Sequence, residues 1–68
     1  MNQGIDKAIK VVGSQKALAL ALGVTQAGVS LWRLGSKVPA EAAMEIERLT
    51  KGAVTREQIC PYVNWTRA

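Results

Sequence analysis

The sequence predicts an all-α fold of five short helices, and three observations support this prediction. Apolar residues recur at the spacing of a helical face, glycines stand where helices should end, and no segment alternates convincingly as a strand does. In the first helix the apolar positions are Ile5, Ala8, Ile9 and Val12, and Gly13 follows them. Because 68 residues make one small domain, few apolar side chains can be left outside its core.

Ser14 and Gly23 bound the predicted second helix, which runs to Leu22. The Ser14 side chain can accept a hydrogen bond from the free backbone N–H groups at the helix start. Gly23 accepts the left-handed conformation in which many helices end. The small Ala19 stands where this helix would cross the next one, so the two helices can approach closely. The segment therefore predicts a helix followed by a tight turn.

The third helix is predicted over residues 26–34, with Thr25 as its cap and a break at Gly35. Val29 and Trp32 fall on the side turned toward the core and are interpreted as scaffold. Two short helices joined by a tight turn, the second with a polar outer face, form a helix-turn-helix. The usual role of this motif is to place its second helix against the base edges of DNA.

A fourth helix is predicted to open at Val38 and Pro39, with the proline in its first turn, where a missing N–H costs nothing. The helix is predicted to end at Gly52. Glu47 can form an ion pair with Lys51 one helical turn later. Its predicted apolar face comprises Ala42, Ala43, Ile46 and Leu49.

A short fifth helix is predicted to start at the capping box formed by Thr55 and Gln58 and to stop before Pro61. Residues 1–61 are therefore expected to form the helix-turn-helix domain, and residues 62–68 a C-terminal tail used for dimerisation or packing.

The excess positive charge is confined to one half of the chain. The formal net charge is +4; residues 1–37 hold five lysines and arginines against Asp6 alone, and residues 38–68 hold four charges of each sign. A surface that faces phosphates requires such an asymmetry, whereas ordinary solubilising charge does not. The distribution favours a nucleic-acid partner, with solubilising charge as the alternative.

The residue inventory argues against an enzyme. There is no histidine, hence no imidazole base and no Cys/His metal site, and there is no glycine-rich phosphate loop. We therefore expect no catalytic residue, no metal and no cofactor. Cys60 is the only cysteine, which excludes an internal disulfide, favours a cytoplasmic location and suggests a small, partly buried side chain. No apolar run approaches the roughly twenty residues of a membrane-spanning helix, so no membrane association is expected.

Four segments together resemble a known family. They are residues 12–19, 22–26, 38–41 and 46–59, and they look like the Cro-like transcriptional repressors of lambdoid phages and prophages, a pattern shared by the YdaS-type antitoxins. The similarity extends over residues 5–61. The helix-turn-helix part is typical of DNA-binding proteins in general, and the segment Gly52-Ala-Val-Thr-Arg56 is the part that points to this family among them. The resemblance implies the five-helix, lambda-repressor-like fold of the all-helical Cro branch. It also implies a sequence-specific repressor that recognises a near-palindromic operator.

The resemblance also implies which side chains would contact DNA. Gln26 stands at the helix start, where the family places a base-contacting side chain, and glutamine can bond adenine bidentately; contact with phosphate or with its own helix end is the alternative. Ala27 and Leu31 would contact thymine methyl groups, although Leu31 could instead pack on a neighbouring helix. The predicted base contacts are Gln26, Ala27, Ser30 and Leu31. The predicted backbone contacts are Gln15, Lys16, Thr25, Arg33 and Lys37.

The expected partners are double-stranded DNA and a second copy of the chain. Cro-like proteins bind as two-fold dimers, and the candidate interfaces here are small, so a weak homodimer completed on DNA is expected. These candidates are Tyr62, Val63 and Trp65 in the tail, and Met44 on the fourth helix. The alternative function is an antitoxin-like protein-interaction module with a toxin partner. Two features keep this alternative open: Leu20, which is predicted to be exposed on the second helix, and the apolar segment 59–65. This segment either folds back over the first helix or forms an interface.

Overall fold

The computed structural model describes residues 1–65, and these residues form five helices and no strand. The helices are α1 (Gln3–Val12), α2 (Gln15–Leu22), α3 (Gln26–Leu34), α4 (Ala40–Leu49) and α5 (Arg56–Ile59). The predicted all-α, five-helix architecture is therefore confirmed. The predicted bounds of α2 and α3 agree with the structure to the residue.

Local hydrogen bonds fix the starts of the helices. The hydroxyl groups of Ser14 and Thr25 accept bonds from the N–H groups three residues later, and Thr55 and Gln58 form the predicted capping box. The prediction that Pro39 lies in the first turn of the fourth helix is wrong by one residue. Pro39 is the N-cap, because its extended backbone (φ −60°, ψ 145°) precedes the first helical residue, Ala40.

One apolar core joins all five helices. Its fully or almost fully buried members are Ile5, Ala8, Leu18, Ala19, Val29, Val38, Ala43, Ile46, Val54, Ile59 and Cys60. Leu22 and Trp32 pack against this cluster but are only partly buried, and Val24 is exposed. Thr50 is a buried polar residue. Its hydroxyl group is fully hydrogen-bonded, since it donates to Ile46 O at 2.9 Å and accepts from Val54 N at 3.2 Å.

A close helix contact explains Gly4, a residue to which the sequence pattern assigned no role. Gly4 is buried where α1 packs on α5, and a Cβ atom there would lie 3.0 Å from Cγ1 of Ile59 and 3.2 Å from the backbone of Gln58. Only a residue without a side chain lets the two helices approach this closely.

Two expectations about the C-terminal half are corrected. Glu47 pairs with Arg56 at 3.6 Å rather than with Lys51, because α4 ends at Leu49 and Lys51 has a positive φ of 54°. The apolar segment 59–65 lies over α1 only in part, because Ile59 packs against Gly4 of α1 whereas Tyr62 contacts another part of the fold. Its Tyr62 hydroxyl donates to Val38 O at 3.0 Å, which ties the tail to the segment between α3 and α4.

Trp65 also fixes the tail to the rest of the domain. Its indole Nε1 donates to Cys60 O at 2.9 Å, and the Arg56 guanidinium lies over its ring at 5.1 Å from the centroid. Val63 and Trp65 thus cover the domain's own core, and of the three tail candidates for an interface only Tyr62 is exposed. Residues 66–68 of the predicted tail lie outside the described residues.

Candidate nucleic-acid interface

The turn between α2 and α3 has the local chemistry that the sequence predicted. Gly23 adopts the left-handed conformation (φ 71°), and its backbone N–H bonds the last turn of α2. Val24 N then donates to Ala19 O at 3.0 Å, and Thr25 Oγ1 accepts from Gly28 N at 3.1 Å. Between the two helices the chain bends by 113°, so α3 crosses α2 instead of continuing it. This is a helix-turn-helix.

The outward face of α3 carries the side chains predicted to contact bases. Val29 is fully buried and anchors the helix, while Gln26, Ala27 and Leu31 are exposed and Ser30 is half-buried. Leu31 is 56% exposed. Since a leucine packed on another helix would be largely covered, that alternative for Leu31 does not hold in this structure.

Leu34 lies on the same outward face and was missed by the sequence analysis. It is 59% exposed and three residues beyond Leu31, a spacing that places the two side chains next to each other on a helix. The 3.6-residue helical period was the signal that could have identified it, because Leu34 follows Leu31 by three residues at the end of α3.

Gln15 has a structural partner as well as a predicted role at the DNA backbone. Its side-chain Nε2 donates to the backbone carbonyl of Gln26 at 3.1 Å, which links the start of α2 to the start of α3. The hydroxyl of Thr25 accepts the capping bond, so its own proton stays available as a donor to a phosphate oxygen. Lys16, Thr25 and Lys37 are all exposed.

Arg33 points toward α1 in this structure. Its Nη1 lies 3.7 Å from Oδ1 of Asp6, and each side chain is a little over one-third exposed. Asp6 is the only acidic residue in the first 37 positions, so the one carboxylate of this half pairs with a predicted phosphate ligand. Arg33 therefore stands at the edge of the α3 face, not at its centre.

Lys37 lies in the segment between α3 and α4, over the ring of Tyr62 at 5.8 Å from its centroid. Tyr62 also bonds the neighbouring Val38 backbone. Burial of the phenolic oxygen, followed by its hydrogen bond with Cys60, raises the pKa of Tyr62 above its usual value, although the backbone bond to Val38 opposes this. The tail thus holds the segment that carries Lys37.

An apolar groove with an acidic rim lies beside the outward face of α3. It is bounded by Leu22, Val24, Trp32, Pro39 and Ala42, with Glu41 and Glu45 at the rim. Glu45 is paired with Arg48, so Glu41 and Glu45 make this groove less positive than the part of the surface that carries Lys16 and Lys37. Within residues 1–65, no cluster of histidine, cysteine and acidic side chains is placed to hold a metal ion. None of the described helices is by itself long and apolar enough to cross a membrane; α2 and α3 meet length and composition criteria only as a pair, bent by 113°.

Together the fold and the surface define a helix-turn-helix domain of the all-helical kind. The chain matches the family model described as "Bacterial toxin YdaS" over residues 5–68, and it belongs to this family. It is 39% identical over 66 residues to the "Putative transcriptional regulator YdaS" of Escherichia coli strain K12, covering 96% of this chain and 67% of that protein.

A solved structure is similar throughout. The Cro protein from the "putative prophage element Xfaso 1" of Xylella fastidiosa strain Ann-1 superposes with a TM-score of 0.84 and 47% identity, over 97% of this chain and all of that one. The resemblance to Cro-like and YdaS-type proteins is therefore confirmed. The family description names a toxin, while the E. coli relative is described as a regulator.

Proposed function

We propose that this protein is a DNA-binding transcriptional regulator of the Cro type, which recognises a near-palindromic operator with the outward face of α3. The observation that carries the proposal is the placement of Gln26, Ala27 and Leu31. They are exposed on the second helix of a helix-turn-helix whose opposite side is anchored by buried Val29. The positive charge of residues 1–37 supports the proposal, as do the names of the E. coli and Xylella relatives.

Each group in this surface has a distinct role in the proposal. Gln26 forms a bidentate pair with an adenine, and Ser30 contacts the base edge from the side of the helix. Lys16, Thr25 and Lys37 contact phosphates and set the register of α3 in the major groove. Gln15 contributes mainly by holding the start of α3 through its bond to the Gln26 carbonyl. Arg33 contacts phosphate only after it leaves Asp6.

The direct test is selection of binding sites from a random duplex pool, followed by titration of the selected duplex and a scrambled one at several salt concentrations. A sequence-specific protein enriches one related set of sites, and its affinity falls steeply as the salt concentration rises because phosphate contacts release counterions. No enrichment, together with no retardation of any duplex at low salt, would refute the proposal.

Assembly is part of the proposal. One domain makes few base contacts, so two copies must bind half-sites about one DNA turn, roughly 34 Å, apart. Exposed Met44 on α4 and half-exposed Tyr62 in the tail are the candidate contacts, and both patches are small. We expect a chain that is monomeric in dilute solution and dimeric on a full operator. Sedimentation at micromolar concentration tests this, and a tight dimer without DNA would contradict it.

A protein-interaction function is the second candidate, favoured by the toxin description of the family and by the acidic, apolar groove beside α3. In this alternative, the main partner is another polypeptide, as in a toxin–antitoxin pair. Co-purification with the products of neighbouring genes tests it. A stable complex combined with no duplex binding would favour this function over the regulator.

A further inference from the structure

The segment between α3 and α4 is held at two points, and Lys37 lies between them. On the side of α3, Ser36 N donates to Leu31 O at 2.9 Å, which closes the end of the helix. On the side of α4, the Val38 side chain is buried in the core. The backbone of Lys37 therefore has a set position relative to α3, while its side chain is exposed.

The hydroxyl group of Tyr62 strengthens the second of these points. It donates to Val38 O at 3.0 Å and accepts a bond from Val38 N, so both backbone groups of Val38 bond the same side chain. A phenol has a single proton, and that proton is used here, so the hydroxyl has none to donate to a phosphate oxygen. It acts on a bound DNA only through the segment that it holds.

The ring of Tyr62 meets the Lys37 side chain as well. The ammonium Nζ lies 5.8 Å from the ring centroid, near the outer limit of a cation–π contact. Such a contact restricts the flexible stem of the lysine and uses none of its three N–H donors. One tyrosine therefore orders both the backbone and the side chain around position 37. A side chain that is ordered beforehand loses less entropy when it binds a ligand.

We infer that Tyr62 is a positioning residue for DNA binding, which holds the segment between α3 and α4 so that Lys37 is ordered beside the end of α3 before DNA binds. The inference rests on the proposed function, in which Lys37 contacts a phosphate. It gives the tail a role in DNA binding by a single copy, separate from any contact between copies. Loss of the Tyr62 contacts should weaken all duplexes alike, since phosphates carry no sequence information.

The experiment compares the full-length protein with Tyr62→Leu, Lys37→Ala and the double variant. Each is titrated at several salt concentrations with a scrambled duplex and with one half of an operator selected from a random pool. A half-site binds one copy, so a dimer contact at Tyr62 does not enter the measurement. Lys37→Ala should reduce the salt slope by about one unit. Tyr62→Leu should weaken both duplexes by about two- to tenfold, the cost of ordering one long side chain on binding.

The double variant separates positioning from a purely structural role. When Lys37 is already replaced, Tyr62→Leu should cause little further loss, whereas a tyrosine that only stabilised the fold would have the same effect in both backgrounds. Tyr62→Phe serves in the same cycle if Tyr62→Leu does not fold, because it keeps the ring and removes only the bonds to Val38. Its loss of affinity should have the same direction and be smaller.

Trp65→Phe is the matched control within the tail. It removes a bond of the same kind, from the indole Nε1 to Cys60 O at 2.9 Å, and leaves the Tyr62 bonds to Val38 in place. The control should bind both duplexes as tightly as the unmodified protein. An equal loss of affinity in Trp65→Phe and Tyr62→Leu would assign the effect to the stability of the tail and overturn the inference.

The remaining outcomes separate the inference from the proposed function. Equal Tyr62→Leu effects with and without Lys37, or unchanged binding of the half-site, would overturn the positioning role and leave the proposed function standing. A loss confined to the full operator would also overturn it, and would make Tyr62 a contact between copies. Failure of the unmodified protein to bind any duplex at low salt would overturn the proposed function, and the inference with it.

Discussion

The side chain of Gln15 donates a hydrogen bond to the backbone carbonyl of Gln26 at 3.1 Å. Eleven residues separate the two, and the bond joins the first turn of α2 to the first turn of α3. The backbone at the start of α3, from which the Gln26 side chain projects, is therefore held by a residue of the preceding helix. A side chain that supports a base-contacting residue affects specificity, whereas one that only contacts phosphate affects affinity for every sequence.

The first prediction follows from this bond. Gln15→Ala should lower the ratio of specific to non-specific affinity by about two- to tenfold, the equivalent of one lost hydrogen bond. Lys16→Ala is the neighbouring control and should weaken all duplexes alike, reducing the salt slope by about one unit. Titration of operator and scrambled duplexes at several salt concentrations measures both. If Gln15→Ala behaves like Lys16→Ala, Gln15 is a phosphate ligand only.

A second prediction separates base recognition from positioning along α3. Gln26→Ala should cost about 1–3 kcal/mol of specific binding at one base pair and leave non-specific affinity unchanged. Arg33→Ala should weaken all sequences similarly and flatten the salt slope by about one unit. Comparing operator variants at the base pair assigned to Gln26 distinguishes the two. Identical profiles for both variants would mean that these roles are wrongly assigned.

A variant of Asp6, the ion-pair partner of Arg33, tests whether that ion pair affects the binding of Arg33 to DNA. Asp6→Asn removes the carboxylate that holds Arg33 against α1, without removing the guanidinium. Because the pair is partly exposed, its loss should change stability by less than about 1 kcal/mol. Non-specific affinity should stay the same or rise, since Arg33 is then free to reach a phosphate. A fall in affinity would show that Asp6 orients Arg33 for DNA.

The third prediction concerns the contact between α1 and α5. Gly4→Ala should destabilise the protein by about 1–3 kcal/mol, because the added Cβ would lie 3.0 Å from Ile59 and 3.2 Å from backbone that cannot move freely. Gly28→Ala is the matched control, since its Cβ would lie at an ordinary 3.4 Å from Thr25 Oγ1.

The control should gain up to about 1 kcal/mol from the higher helix propensity of alanine. Each kcal/mol corresponds to a shift of about 4–8 °C in Tm for a domain of this size. Thermal unfolding followed by circular dichroism therefore resolves the two variants. A Gly4→Ala protein as stable as Gly28→Ala would show that α5 moves aside at little cost.

The fourth prediction uses the raised pKa of Tyr62. Burial and the Cys60 contact favour the neutral phenol in the folded state, and unfolding restores the ordinary value of about 10. The neutral hydroxyl therefore contributes stability below about pH 10, and this contribution is lost as the pH rises through the folded pKa. Urea unfolding between neutral and alkaline pH should show the decline.

Tyr62→Phe is the control for this titration. It should lower stability at neutral pH by about 1 kcal/mol through the lost bond to Val38 O, and it should show a smaller decline at alkaline pH. The two proteins differ only in the Tyr62 hydroxyl, so the difference between their stability curves reports on that group. Parallel stability curves for the two proteins would contradict a coupling between the Tyr62 hydroxyl and the fold.

The amino-acid sequence alone determined the helices and the motif that they form. Ser14, Thr25 and Thr55 cap helices through bonds that span three residues, and Gly23 ends α2 by its own conformation. Such signals are local, so a linear pattern contains them. The exposed face of α3 follows from the same helical period once Val29 is assigned to the core.

Only the tertiary structure decided which distant residues meet. Gly4 contacts Ile59, Arg33 pairs with Asp6, and Tyr62 bonds Val38, although these partners are separated by 24 to 55 positions in the chain. Each contact depends on how whole helices cross around the shared core. The sequence near one partner does not indicate the other partner. The entropic cost of closing the loop between them changes little with its length, so the distance in sequence does not favour one pairing over another.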